Sequence, residues 1–385
     1  MKKLTIILTV LLATTITTHA QWQQTNGPYG GTIKCIAISG SNIFAGAGYG
    51  GVFLSTNNGS SWAEVNTGLT NTYIRAACVI ATPVISFANQ AVPQKGVTMS
   101  TYAHPEVLVN TQWVADHLND SNIRLLEVGW DTSEYESGHI PGTVASWGFT
   151  DIQRPDSHDI PNKAQVESML SQAGIANSDT IIIYGGLSNL VAALEFWVLK
   201  IYGHKDVRLL DGGRQKWVAE GRLLTTEKPT VKPTPYVAQE PDWSLRADKD
   251  YIISVIGQAG HTIVDARPVD MYIGENKYGI ERGGHIPTAV NIPAQRITDS
   301  GGNFQRWQSP LTHDDGSFKS VEELQTLFSE KGVVPSQNIV TYCVRGGLST
   351  YMWFALTQLL SYPNVREYER SWAEWGNMAD TPIEK

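Results

Sequence analysis

The stretch "SGHIPGTV" at 137–144 returns as "GGHIPTAVNIP" at 283–293. Around each copy the same series recurs. Tyr184 and Tyr342 each end a short apolar run, each is followed by a glycine-bearing turn, and each lies twelve positions before a phenylalanine, Phe196 or Phe354. A self-similarity of this length is most simply two homologous units in tandem. The runs "IRLLEVG", "TIIIYGG", "DVRLLDGG", "HTIVDAR" and "QNIVTYC" are rich in Ile, Val and Leu and read as buried parallel strands. Between them "NTQWVADHL", "KAQVESMLSQAG", "AALEFWVLKIYG", "SVEELQTLFSEKG" and "YMWFALTQLLSY" carry helical periodicity. The expectation is an α/β fold with two tandem domains, each a mostly parallel sheet flanked by helices. They should cover 101–236 and 237–385, joined by the proline-rich stretch 225–243, which reads as an extended linker.

The chain before residue 100 is different. Residues 32–66 alternate short β-branched and aromatic runs with Gly, Asn and Ser turns, the pattern of β-hairpins. "GAGYGG" at 46–51 has dinucleotide-fingerprint spacing, but a strand-like "VFLST" follows it where a helix N-terminus would be needed, so the match is rejected. "STNNGSSW" at 55–62 resembles the Asp-box of β-propeller blades. One blade cannot close a propeller, so 21–75 reads as a small β-rich appendage. Residues 76–100 read as an apolar linker; its first part is either a second signal-like segment or a buried strand, and Pro83 argues against a membrane span.

The first twenty residues have a positive start at Lys2 and Lys3, an apolar "LTIILTVLLA" and small residues up to Ala20. That is the pattern of a cleaved export signal, which places the mature chain in the periplasm or outside the cell. The 42% hydrophobic and 17% charged content suits a folded chain, and a net charge of −8 without a basic stripe makes it a poor candidate for nucleic acid or anionic membrane, so neither is expected as a partner. Three cysteines, Cys35, Cys78 and Cys343, are too few for a disulfide scaffold and lack zinc-site spacing. In an oxidising compartment the expectation is a Cys35–Cys78 pair, with Cys343 left as a free thiol.

Cys343 lies where the second repeat has its strand end; the first has Gly185. Open α/β sheets place ligands beyond the carboxyl ends of their strands. A thiolate there can be held by loop N–H groups and the N-terminus of the next helix. Gly346 and Gly347 allow the tight turn, and Arg345 supplies a positive charge for an anionic substrate. On these residues alone Cys343 is either a nucleophile or a small buried hydrophobe.

The paired GHIP motifs, "YGHKDVRLLDGGRQKWVAEGR", "IVDARP", "TYCVRGGLST" and "REYERSWAEWGN" resemble the tandem-domain rhodaneses, thiosulfate sulfurtransferases, over residues 106–378. The resemblance implies a silent first domain with Gly185 and an active second domain. Its catalytic residue would be Cys343, with the loop Val344, Arg345, Gly346, Gly347 and Leu348 holding the transferred sulfur. Arg282 joins Arg345 as a candidate for attracting the substrate anion. The implied activity moves sulfane sulfur from thiosulfate to cyanide or a thiol through a Cys343 persulfide, with no metal or organic cofactor. The alternative is a non-catalytic sulfur carrier or anion-binding module.

Some positions depart from the family. Val344 and Leu348 replace more polar loop residues, and Met271 and Tyr278 stand where mercaptopyruvate-specific relatives keep two arginines, which favours thiosulfate. Glu369 and Arg370 replace the usual Asp-Gly of "YDGSW"; Arg370 either reaches the site rim or is solvated. Asp265 and Arg267 read as a structural pair beside the loop, and His139 and His285 as braces of their turns. A Cys-x5-Arg phosphatase would need arginine at position 349, which is Ser349.

Overall fold

Each apolar run named above becomes a strand in the computed structural model, which describes residues 33–39, 42–47, 51–57, 60–66, 77–79, 85–87, 101–186, 189–298 and 304–385. The proposed export signal and the side chains of Cys35 and Cys78 lie outside the described residues, and with them the expected disulfide. Residues 1–99 and 100–385 form two units.

In the first unit β1 (Ile33–Ser39), β2 (Asn42–Ala47), β3 (Gly51–Ser55) and β4 (Ala63–Glu64) form an antiparallel meander in sequential order. A strand does follow the glycine-rich 46–51 stretch. In the turn before β4, Asn57 Oδ1 accepts the Ser61 N–H at 2.9 Å and the Ser55 hydroxyl at 3.0 Å. β5 (Ala77–Val79) and β6 (Ile85–Phe87) pair antiparallel within the apolar segment.

The second unit contains both repeats. β7 (Leu108–Val109), β8 (Ile123–Gly129), β9 (Thr143–Gly148), β10 (Thr180–Tyr184) and β11 (Val207–Leu210) form a parallel sheet in the order β7-β11-β10-β8-β9. β12 (His261–Asp265), β13 (Val290–Asn291), β16 (Asn338–Tyr342) and β17 (Val365–Glu367) form a second parallel sheet in the order β13-β12-β16-β17. A hairpin of β14 (Gln295–Thr298) and β15 (Phe304–Gln308) lies between β13 and β16 in sequence.

The repeat is legible in side-chain detail. The Tyr184 phenol at the end of β10 accepts the Ile140 N–H at 3.0 Å and donates to Glu127; the Tyr342 phenol at the end of β16 accepts the Ile286 N–H at 3.1 Å. His139 stacks on Tyr135 with 3.8 Å between ring centroids, and His285 stacks on Tyr272 at 3.7 Å. Both histidines pair their backbones with a distant strand-like residue, His139 with Thr225 and His285 with Glu384. They therefore brace turns, as the sequence suggests.

Helices Leu190–Ile201 and Gly347–Phe354 follow the two central strands and are buried almost all round. A helix with no polar face must be covered on every side. The two cover each other, and the equivalent Phe196 and Phe354 meet edge to face at 4.9 Å. Phe318 adds a stacked contact to Phe354 at 5.3 Å. The proline-rich connection is extended, but it is fastened to the first domain: Thr234, Gln239 and Asp242 donate N–H bonds to Ser171, Tyr202 and Ile201, and Tyr236 is buried.

Because the two domains share this core, Phe354→Ala should cost about 3–5 kcal/mol. Urea unfolding followed by circular dichroism and by tryptophan fluorescence should show one lowered transition for both domains. A second-domain transition lowered alone would contradict the shared core.

Candidate active site

Cys343 is the first residue beyond the end of β16, and it is 2% exposed. Its position is held from three directions. Tyr342, immediately before it, is tied to the GHIP turn by the Ile286 N–H. The Cys343 N–H donates to Ser371 Oγ at 3.0 Å, and its carbonyl accepts the Trp372 N–H at 3.1 Å. Ser371 keeps a left-handed backbone, φ 55°, while its hydroxyl donates to the Tyr368 carbonyl. Beneath the strand end Arg267 binds both Asp265 oxygens, donates to the Gly284 carbonyl, and lies over the Trp372 ring at 4.2 Å. Asp265 and Arg267 are thus a buried structural pair.

After Cys343 the chain turns sharply and enters helix Gly347–Phe354. Gly346 has φ +85°, and a Cβ there would press on the backbone of Glu369, so glycine is required. The Gly346 carbonyl accepts the Thr350 N–H and hydroxyl at 2.9 and 2.8 Å, which starts the helix directly under the loop. The backbone N–H groups of Ser349 and Arg345 and the Ser349 hydroxyl are near enough to the sulfur to favour its charged form. These are anion-holding donors at a helix N-terminus. Burial nevertheless pushes the Cys343 thiol above the ordinary cysteine range, and Glu367, were it ionised, would push it further; the Ser349 and Arg345 donors only offset the shift. Full burial outweighs these hydrogen bonds.

The sulfur sits at the floor of a cavity of about 220 Å³. Val344, Arg345, Gly347 and Leu348 line it, and so do Met271 and Tyr278. The far wall comes from the first domain, with Trp130 stacked on Phe149 at 5.0 Å beside Leu190 and Val191. Gly346 shapes the turn without lining the cavity. Arg282 is elsewhere: its guanidinium is spent on the carbonyls of Thr381 and Trp375 at 2.9 and 2.8 Å, and it fastens the carboxyl-terminal segment. Arg345 is the loop cation exposed at the cavity. Arg370 pairs with Asp159 at 2.9 Å and Glu374 at 3.1 Å.

Three contributors were not read from the sequence. Gln153, 1% exposed on the first domain, donates to the carbonyls of Arg345 and Glu369 at 3.2 and 3.1 Å and so clamps the loop across the domain boundary. Ser349 and Glu367 lie behind the sulfur. The signal for Ser349 was present, since it directly follows the loop; Gln153 and Glu367 carry no local signal.

The equivalent place in the first domain is closed. The Gly185 N–H donates to Asn189 Oδ1 at 2.8 Å, and any Cβ on Gly185 would overlap the Val128 carbonyl. The Glu134 carboxylate occupies the space a side chain on Gly186 would need. Among the described residues no group of three or more His, Cys, Asp or Glu side chains is arranged to hold a metal ion.

A family model described as "Rhodanese-like domain" matches residues 110–220 and 248–378. The chain is 40% identical over 286 residues to a putative thiosulfate sulfurtransferase of Saccharopolyspora erythraea, covering 72% of this chain and 96% of that protein. It is 42% identical over 295 residues to the sulfur carrier protein TtuD of Thermus thermophilus, covering 74% and 98%. Among solved structures, YnjE superposes with a TM-score of 0.65 at 23% identity, over 74% of this chain and 70% of that one. A persulfide form of EanB with ergothioneine also scores 0.65, at 21% identity over 76% and 73%. At such identities these structures show the fold.

Gly185→Ala should destabilise the protein by about 1–3 kcal/mol through overpacking against the Val128 carbonyl. A thermal melt checks this, and an unchanged Tm would mean that the closed pocket tolerates a side chain.

Proposed function

The chain belongs to the rhodanese-like domain family, and from that premise we propose that it is a thiosulfate sulfurtransferase whose nucleophile is Cys343. The observation that carries the reading is a buried strand-end thiol lining a cavity, with the Arg345 and Ser349 N–H groups near enough to favour its charged form. The name borne by the Saccharopolyspora erythraea relative, "Putative thiosulfate sulfurtransferase", points the same way.

The Cys343 thiolate attacks the outer sulfur of thiosulfate. A Cys343 S–S bond forms, the sulfur–sulfur bond of thiosulfate breaks, and sulfite leaves with the electron pair. The persulfide anion that remains occupies the loop, where N–H groups aimed at its charge need no reorganisation during the step. Cyanide or a thiolate then attacks the outer sulfur and regenerates the Cys343 thiolate. Arg345 at the cavity attracts the anionic donor, and Met271 and Tyr278 offer no cation to a substrate carboxylate, which favours thiosulfate over mercaptopyruvate. Arg282, with its donors already committed, is given a structural part.

Export completes the proposal: the signal-like pattern of the first twenty residues supports a mature enzyme in the periplasm or outside the cell. A second reading, a carrier that holds sulfur for a partner without free turnover, is favoured by the identity to TtuD.

Intact-mass spectrometry after thiosulfate should show a gain of about 32 Da, lost on adding cyanide and absent in Cys343→Ser. Sulfur that loads but is not discharged to small acceptors would select the carrier reading, and no loading would defeat both. The mature mass also shows whether cleavage follows Ala20. Because the thiol is raised, the loading rate should climb with pH without levelling before the ordinary cysteine value of about 8.5. Arg345→Gln should lower kcat/KM for thiosulfate roughly tenfold to a hundredfold, the loss of one charge-assisted contact of about 1.5–3 kcal/mol.

A further inference from the structure

Glu367 is the last residue of β17 and is fully buried, 0% exposed. Its two carboxyl oxygens meet two hydroxyls, one each: Thr341 donates to Oε2, and Ser349 Oγ lies against Oε1. The groups packed round it offer no counter-charge. β16 brings Thr341, the residue after its end brings the Cys343 thiol, and the helix Gly347–Phe354 brings Ser349. Beyond β17 stands Glu369, of like sign, which is paired with Arg246. Arg246 approaches Glu367 only through the backbone next to it, where the Ala247 N–H donates to the Glu367 carbonyl at 2.8 Å. An ionised carboxylate here would be desolvated without a partner, a cost of several kcal/mol that a proton removes. Burial accordingly pushes the Glu367 carboxyl well above the usual carboxylate range.

Proton counting makes this chemically specific. The Thr341 hydroxyl is already donated to Oε2, and Ser349 has one hydrogen to give. If Glu367 is ionised, Ser349 must donate to it, and the sulfur loses that donor. If Glu367 is neutral, its own O–H can donate to Ser349 Oγ, and the Ser349 hydrogen is then free for Cys343 Sγ, whose charged form that hydroxyl is near enough to favour. The competing acceptor, the Gly346 carbonyl at 3.2 Å, is already supplied by Thr350 at 2.9 and 2.8 Å.

We propose that Glu367 is a positioning residue held as the neutral carboxylic acid, and that its O–H turns the Ser349 hydroxyl onto the Cys343 sulfur. No proton crosses during sulfur transfer; the chain Thr341–Glu367–Ser349–Cys343 orients donors toward the thiolate and keeps a second negative charge away from it. The inference rests on the reading of Cys343 as the sulfur-carrying thiol.

The test is the pH dependence of Cys343 alkylation by iodoacetamide, read on the Cys343 peptide so that Cys35 and Cys78 do not intrude. Glu367→Gln retains a neutral donor toward Ser349 and an acceptor for Thr341, and should keep the wild-type thiol pKa. Glu367→Met and Ser349→Ala should each raise it by about one unit, tenfold less thiolate at neutral pH, and the double variant should raise it no further. A Glu367→Gln thiol lowered by a unit or more would show that the native carboxyl is ionised, and an unshifted Glu367→Met would show that it does not act on the sulfur. Either result overturns the proposal. Should Glu367→Met not fold, the infrared carboxylic-acid carbonyl band at pH 7 decides instead: it should be reduced in Glu367→Gln, and an unchanged band would overturn the proposal. Failure of thiosulfate to load Cys343 would count against the sulfurtransferase reading alone, since alkylation does not require it.

Discussion

The site depends on the bond between a buried phenol and a backbone N–H. Tyr342 ends β16, and its hydroxyl accepts from Ile286 in the GHIP turn, so the strand end and the turn cannot move independently. The next residue is Cys343. Asp265 and Arg267 fill the space beneath, and Arg267 is sandwiched against Tyr342 and Trp372. A buried ion pair contributes little net stability, but it fixes geometry, and here it fixes the segment that accepts the Cys343 N–H and supplies the Trp372 N–H to its carbonyl.

The same device exists in the first domain without the chemistry. Tyr184 holds Ile140 as Tyr342 holds Ile286, yet Gly185 has no room for a side chain and Glu134 stands in the space beside Gly186. The first domain contributes in other ways. It supplies the helix that covers Gly347–Phe354, the Trp130 and Phe149 wall of the cavity, and Gln153, which binds the Arg345 and Glu369 carbonyls. A single rhodanese-like unit would leave the Cys343 cavity open on the side these residues close.

Burial sets two opposing demands on the thiol. It strengthens each donor that faces the sulfur, because the local dielectric is low, and it also penalises the thiolate itself. The raised thiol is the result of the second effect outweighing the first, and it explains why the hydrogen-bond donors near the sulfur matter individually.

The sequence by itself determined the two-unit architecture, the strands ending at Tyr184 and Tyr342, and the cysteine-for-glycine contrast at 343 and 185. These are local signals: apolar runs of strand length, turn glycines and a repeat count are properties of neighbouring residues. The loop was legible for the same reason, since Val344 to Leu348 follow Cys343 directly. Arg282 looked like a substrate cation because its charge could be read and its partners could not; folding brings Trp375 and Thr381 to it and consumes its donors. Gln153 and Glu367 lie far from Cys343 or inside an ordinary strand, and only the packing of separate elements gives them a place at the site. The thiol's pKa, too, was decided by tertiary structure, because desolvation depends on everything that surrounds a group and not on the residues beside it in the chain.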